Sequence, residues 1–161
     1  MSDDPLKTAQ TVLYYAFGKA AEVAQLMEKE LVTLVLIPTM LRKTPVNSIE
    51  LEGLMARLSK STLGQLLKEL DPAVQVNAEA AAICADVLAR RNAMMHRFFT
   101  ANADKLNTLE GVNALIEEIE DNERHFGGAY YTFRDINRNL ESKYGITPKS
   151  IASFLQAFSP E

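Results

Sequence analysis

The segment from Pro5 to Ile37 constrains the fold more than any other part of the sequence. It contains no proline after Pro5. Its apolar residues recur three and four positions apart, at Leu13, Phe17, Ala20, Ala24, Met27, Leu31 and Leu34. That spacing places them on one face of an α-helix. With Asp4 as N-cap and Pro5 at the first helical position, the pattern predicts one helix over residues 5–37 whose apolar face packs against other helices.

The remaining segments also favour helices, and none alternates as a strand would. The alanine-rich segment 73–101 lacks glycine and proline, which predicts a second long helix, antiparallel to the first. Shorter helices are predicted in residues 48–61, 63–70, 105–126, 129–144 and 148–158, with stops at Gly127-Gly128 and Gly145 and a cap at Thr147. Gly18, inside the first helix, predicts a close helix contact. We therefore expect an all-α bundle, with two long antiparallel helices and several shorter ones, in a single domain over residues 1–161.

Composition and charge narrow the functional classes. The chain has 161 residues, a net charge of −4 and a pI near 5.3, which argues against coating nucleic acid but allows a local basic site. A single cysteine and the absence of a secretory signal indicate a cytoplasmic protein. The apolar run 31–37 is too short to cross a membrane. One cysteine and two histidines cannot form a structural zinc site, so we expect neither metal nor cofactor.

The stretch RRNAMMHRFF, residues 90–99, places cations in a helix that otherwise looks built for a core. At 100° per residue, Arg91 points from the centre of an apolar face. That face consists of Ile83, Cys84, Val87, Leu88, Met94, Met95, Phe98 and Phe99. Asn92 and His96 share one edge of the face, and Arg90 and Arg97 share the other. A guanidinium among apolar residues requires a carboxylate, a second subunit or an anionic ligand.

The side chains around Arg91 are those that phosphodiester chemistry uses. Between Asp86 and Asp104 there is no acidic residue, so this part of the helix is locally positive. Asn92 lies four residues before His96 and can orient its ring. Arginine offers phosphate a fork of donors, and histidine transfers protons near neutral pH. A structural alternative stays open, in which Arg91 pairs with a carboxylate of its own chain, such as Glu117, Glu120 or Asp121.

Two further features have a functional and a structural interpretation. Tyr130, Arg134 and Arg138 form a stripe at intervals of four residues, which is either a stacking and phosphate-binding edge or a solvated face with tyrosine packing on the bundle; the residues themselves favour the second. Cys84 lies within the apolar arc, so we expect a small buried side chain and not a nucleophile.

The pattern Arg91-Asn92-Ala93-Met94-Met95-His96 resembles the R-x4-6-H motif of HEPN domains, in which a polar residue commonly follows the arginine. The segment TLGQLLKEL, residues 62–70, resembles an uncharacterised bacterial branch of that superfamily, and the resemblance covers roughly residues 8–125. It implies a helical, metal-independent endoribonuclease that forms a homodimer with two motifs facing one cleft.

In the resemblance, His96 is the general acid or base, Arg91 stabilises the phosphorane, and Asn92 positions the histidine or the phosphate. The residues with candidate RNA contacts are Arg90, Arg97, Tyr130 and Arg134. A toxin or defence effector with a neutralising protein partner fits this expectation. The alternative is a non-catalytic helical module that binds a protein or a nucleotide at the Arg91 cleft.

Overall fold

The computed structural model describes residues 4–41 and 78–147, together with 149, 150 and 152. These residues form three long helices, α1 (Pro5–Leu41), α2 (Ala78–Ala101) and α3 (Leu109–Tyr144), with a 3-10 turn at Lys105–Asn107. The predicted all-α bundle is confirmed. The short helices predicted in 48–61 and 63–70, residues 73–77 of the second long helix, and most of the helix predicted in 148–158 lie outside the described residues.

Helix α1 begins as predicted and ends later than predicted. Asp4 Oδ1 accepts a hydrogen bond from the Leu6 amide at 3.1 Å, which is the expected N-cap. The helix does not stop at Ile37 but continues through Pro38 to Leu41. Proline removes one amide donor from the ladder. Leu34 and Ile37, completely buried, hold the last turns by packing, so the predicted end at residue 37 is wrong.

Helices α1 and α2 run antiparallel, as predicted. The rings of Phe17 and Phe98 lie 5.8 Å apart, and Glu28, further along α1, contacts Arg91, which is earlier in α2. The last residues of α2 therefore lie beside the first half of α1.

Helix α3 runs parallel to α1, because contacts advance along both helices together. Lys19 Nζ lies 3.1 Å from Glu123 Oε1, and Asn137 Nδ2 donates to Glu30 Oε2 at 2.8 Å. The apolar faces of the three helices form one core. Its largest completely buried side chains are Phe126, Phe133, Leu13, Met27, Leu31, Leu34, Ile37, Met94, Leu115 and Ile119.

Helix α3 passes through Gly127 and Gly128 without a break, which corrects the prediction of two separate helices. Each glycine costs helix stability, roughly 1 kcal/mol relative to alanine. The neighbouring Phe126 and Ala129 are buried against the core on either side. Packing therefore overrides the local preference, and the bundle has a third long helix where shorter ones were expected.

The ends of α3 follow local rules. Thr108 Oγ1 accepts from the Gly111 amide at 3.1 Å, and a Cβ at Gly111 would collide with the Lys105 carbonyl oxygen. At the other end, Gly145 adopts a left-handed conformation with φ 66° and ends the helix as predicted. Thr147 Oγ1 then accepts from the Ser150 amide at 3.0 Å, which confirms the predicted cap of the next helix.

Among the described residues, nothing makes the close contact expected at Gly18. Gly18 is exposed, and a Cβ built there would meet no heavy atom of that part of the chain within 4 Å. The glycine is therefore not required by packing against the described helices.

Candidate active site at Arg91 and His96

Arg91 lies on the buried side of α2, as the helical periodicity predicted. Its side chain is 20% exposed, and its Nε lies 2.7 Å from Oε1 of Glu28 on α1. The buried residues that flank it on the same face are Cys84, Val87, Met94 and Phe98. The carboxylate that offsets the cation therefore comes from α1 and not from the acids at positions 117–121.

The contact between Arg91 and Glu28 is an ion pair and not a well-directed hydrogen bond. Oε1 of Glu28 is buried and accepts no hydrogen bond from the residues that the structure describes, in spite of its short distance to Nε. The N–H of Nε therefore does not point at this oxygen. The pair still neutralises a guanidinium that is largely withdrawn from water.

Asn92 and His96 both converge on Nη1 of the same guanidinium. Nη1 donates to Asn92 Oδ1 at 3.3 Å and lies 3.4 Å from His96 Nε2. A guanidinium can only donate, so His96 accepts through an unprotonated Nε2 and carries its proton on Nδ1 when this contact forms. The structure thus brings together the three residues that the sequence proposed as catalytic.

The His96 ring is exposed at the edge of α2, so a ligand that reaches Arg91 also reaches the imidazole. Arg91 offers a guanidinium that is paired with Glu28, Asn92 holds that guanidinium, and the lone pair of His96 Nε2 becomes available when its contact with Arg91 Nη1 opens. This arrangement can bind an anionic oxygen and accept a proton from a neighbouring hydroxyl.

Arg90 and Arg97 lie on the opposite edge of the α2 face, towards α3. Arg90 is held by two carboxylates, with Nε 2.9 Å from Asp86 Oδ2 and Nη1 2.8 Å from Asp121 Oδ2. Burial alone would raise the pKa of the Asp121 carboxyl, but hydrogen bonds from Arg90 and Arg124 outweigh it and lower that pKa. Arg90 thus ties α2 to α3, and its contact with RNA stays a prediction.

Arg97 is exposed at the rim of a cavity of about 420 Å³ between α2 and α3. Met94, Phe98, Glu118 and Asn122 also line that cavity. Arg97 follows His96 by one residue, so the two side chains leave the helix about 100° apart. The structure does not bring Arg97 to the guanidinium of Arg91.

Tyr130 and Arg134 lie on a different side of the bundle. Arg134 Nη1 donates to the Tyr130 hydroxyl at 3.1 Å, and its guanidinium carbon is 5.7 Å from the ring centre. Asp121 and His125 lie on the side of α3 that faces α2. Tyr130 follows Asp121 by nine residues, and Arg134 follows His125 by nine residues. Nine residues are two and a half turns, so this pair points away from α2 and from His96.

The second histidine does not belong to this site. His125 Nδ1 lies 2.8 Å from the carbonyl oxygen of Asp121. Its ring lines a cavity of about 520 Å³ between α2 and α3, together with Ile83, Val87, Ala129 and Thr132. His125 is therefore a matched control for any test of His96.

Glu28 is the site residue that sequence reasoning missed. It follows Met27 and precedes Leu31 by three positions, so it interrupts the apolar stripe of α1 at helical spacing. A carboxylate at such a position requires a cation on a neighbouring helix, just as Arg91 requires an anion. Pairing these two anomalies would have predicted the contact.

Cys84 is 3% exposed, and burial raises the pKa of its thiol to about 11. The burial confirms the predicted packed side chain, and a raised pKa keeps the thiol in its poorly nucleophilic protonated form. Among the described residues, no cluster of three or more histidine, cysteine or acidic side chains has the arrangement of a metal site. Within the same residues, no helix combines the length and apolarity that a membrane crossing needs.

Comparison of the chain with protein-family models, with curated proteins and with solved structures found no match.

Proposed function

We propose that this chain is a HEPN-like, metal-independent endoribonuclease that cleaves RNA at Arg91, Asn92 and His96. The supporting observation is the convergence on Arg91 Nη1, which lies 3.3 Å from Asn92 Oδ1 and 3.4 Å from His96 Nε2. A fixed cation and an exposed imidazole at one point supply charge stabilisation and proton transfer, the two needs of phosphodiester cleavage.

In the proposed reaction, the contact between His96 Nε2 and Arg91 Nη1 opens, and the freed Nε2 lone pair takes the proton of a ribose 2′-hydroxyl. The 2′-oxygen then forms a bond to the adjacent phosphorus, and the bond from phosphorus to the 5′-oxygen breaks. The departing oxygen takes a proton from a general acid. The products are a 2′,3′-cyclic phosphate and a 5′-hydroxyl. Arg91 stabilises the negative charge on the phosphorane, and Asn92 keeps the guanidinium in place.

A homodimer belongs to this proposal because the reaction uses a base and an acid. Within the described residues, one copy offers a single imidazole at the site, and a second copy would supply another His96. The position of Arg91 among apolar residues does not itself require a second subunit, since Glu28 of the same chain neutralises it. Light scattering tests this claim, and a stable monomer of 17.9 kDa at micromolar concentration would contradict the composite cleft.

The setting of such an activity is also part of the proposal. A net charge of −4 limits the contact with RNA to a small basic region, for which exposed Arg97 is a candidate. A small cleft suits a cytoplasmic toxin or defence effector that a protein partner neutralises.

The test compares the wild type with His96→Ala, Arg91→Ala and the control His125→Ala on total RNA, with and without EDTA. We expect His96→Ala to lose roughly 10²–10⁴-fold in rate, the usual contribution of acid–base catalysis. Its melting temperature should not change, because the side chain is exposed. Arg91→Ala should also lose cleavage, and His125→Ala should keep it. Cleavage that persists in His96→Ala, or that stops with EDTA, contradicts the mechanism.

The second candidate is a non-catalytic module that binds a protein or a nucleotide at the same site. The ion pair between Arg91 and Glu28 favours it, because the cation is already neutralised within its own chain. A wild type that cleaves no RNA under any of these conditions would select this alternative.

A further inference from the structure

Four aromatic rings lead from the core to the surface beside the candidate active site. Phe17 of α1 lies 5.8 Å from Phe98 and 4.9 Å from Phe99, and Tyr14 lies 5.5 Å from Phe99. Phe98 is buried, Phe17 and Phe99 are half-buried, and Tyr14 is 59% exposed. The outermost ring is therefore held by its neighbours and still presents much of its surface to solvent.

This aromatic cluster lies on the same side of α2 as the catalytic candidates. Phe99 follows His96 by three residues, which makes them neighbours on one face, separated by roughly 4.5 Å along the helix axis. The contacts Tyr14–Phe99 and Glu28–Arg91 both join α2 to α1. Phe99 lies eight residues, roughly 12 Å of helix, beyond Arg91, so an extended strand whose phosphate contacts Arg91 and His96 can reach Tyr14 with a base one or two nucleotides further along.

The charges beside Tyr14 suit a polyanion. Helix α2 carries no acidic residue after Asp86, and the next acid in the chain is Asp104. On α1, exposed Lys7 precedes Tyr14 by two helical turns and lies on the same side of the helix. An exposed ring beside the acid-free part of α2, with Lys7 about 10 Å away along α1, can stack a base of single-stranded nucleic acid while the backbone contacts the lysine.

We propose that Tyr14 is a base-stacking residue for the RNA strand whose phosphate contacts Arg91 and His96. This inference rests on the proposed function for the identity of the phosphate site, but binding can be measured without cleavage. Bases in a duplex are stacked on each other and cannot lie on the Tyr14 ring, so the surface selects unpaired nucleotides.

The probe is a fluorescent single-stranded DNA oligonucleotide of mixed sequence, which lacks the 2′-hydroxyl and cannot be cleaved by the proposed reaction. Anisotropy titrations compare the wild type with Tyr14→Ala, Tyr14→Phe and Tyr14→Leu. The control is Tyr15→Ala, because Tyr15 is 71% exposed and leaves α1 about 100° around the helix from Tyr14. The same oligonucleotide as a duplex serves as a second probe.

Stacking of one base contributes about 1–3 kcal/mol, which corresponds to about 5- to 150-fold in Kd. We expect Tyr14→Ala and Tyr14→Leu to weaken binding by that factor, while Tyr14→Phe and Tyr15→Ala bind as the wild type does. Leucine keeps an apolar contact with Phe99, so it separates stacking from folding. The wild type should also bind the single strand more tightly than the duplex.

Equal binding by the wild type and Tyr14→Leu would overturn the inference, as would no binding or tighter binding of the duplex. A fall from dimer to monomer in Tyr14→Leu would overturn it too, because the ring would then cover a second copy. If the binding pattern appears but the wild type cleaves no RNA, only the proposed nuclease activity fails. If cleavage depends on His96 but the Kd of the oligonucleotide is the same for the wild type and the Tyr14 variants, only this inference fails.

Discussion

Glu28→Gln removes the carboxylate 2.7 Å from Arg91 and leaves a guanidinium that is 20% exposed without its charge partner. Breaking a fully buried pair costs about 3–5 kcal/mol, whereas exposed pairs contribute about 0–1 kcal/mol. The two side chains are 20% and 26% exposed, which places this pair between those limits. We expect a loss of about 2 kcal/mol in the free energy of unfolding, or roughly 4–8 °C in Tm for a chain of this size.

Urea unfolding followed by circular dichroism measures that loss. Glu22→Gln is the matched control, because Glu22 is an exposed glutamate on the same helix. Glu28→Gln combined with Arg91→Gln completes a double-mutant cycle, in which the double variant should be more stable than Glu28→Gln alone. The reasoning is refuted if Glu28→Gln and Glu22→Gln agree within about 0.5 kcal/mol, or if the two changes at the pair are additive.

Three further predictions concern the scaffold. Gly127→Ala and Gly128→Ala should each raise the free energy of unfolding by roughly 0.5–1 kcal/mol, because an added Cβ at either position meets no atom of the described residues within 4 Å. A lower free energy of unfolding in urea titrations would contradict a continuous α3. Cys84 should not react with a thiol reagent at neutral pH until the chain unfolds, because burial raises its pKa to about 11; rapid labelling of the native protein would contradict this. Above the ordinary carboxyl pKa, about 4, the wild type should exceed Asp121→Asn in free energy of unfolding by the full contribution of the carboxylate. This difference should shrink as the pH falls towards the lowered pKa of Asp121 in the folded protein. A difference in melting temperature between the wild type and Asp121→Asn that stays constant as the pH falls would contradict the last prediction.

Local signals in the sequence predicted much of the helical architecture. The cap at Asp4, the stop at Gly145 and the apolar stripe of α1 each follow from interactions within a few residues. The predicted stop at Gly127-Gly128 was wrong because helix propensity does not include the burial of Phe126 and Ala129 on either side of the two glycines. Tertiary packing decides between a stop and a continuous helix at such positions.

The part of the candidate site that lies on one helix was predictable from the sequence, and the part contributed by another helix was not. Arg91, Asn92 and His96 lie within six residues of one helix, so helical geometry alone brings them together. Glu28 belongs to another helix, and its position beside Arg91 depends on how α1 and α2 pack. Tyr14 likewise reaches Phe99 only through that packing.

Mass spectrometry of the ends of the cleaved RNA tests the central claim most directly. The wild type, incubated with a defined RNA oligonucleotide in EDTA, should give fragments that end in a 2′,3′-cyclic phosphate and begin with a 5′-hydroxyl. His96→Ala should give neither fragment under the same conditions, and His125→Ala should give both. Fragments with a 3′-hydroxyl and a 5′-phosphate, or the same cyclic ends from His96→Ala, would contradict the account.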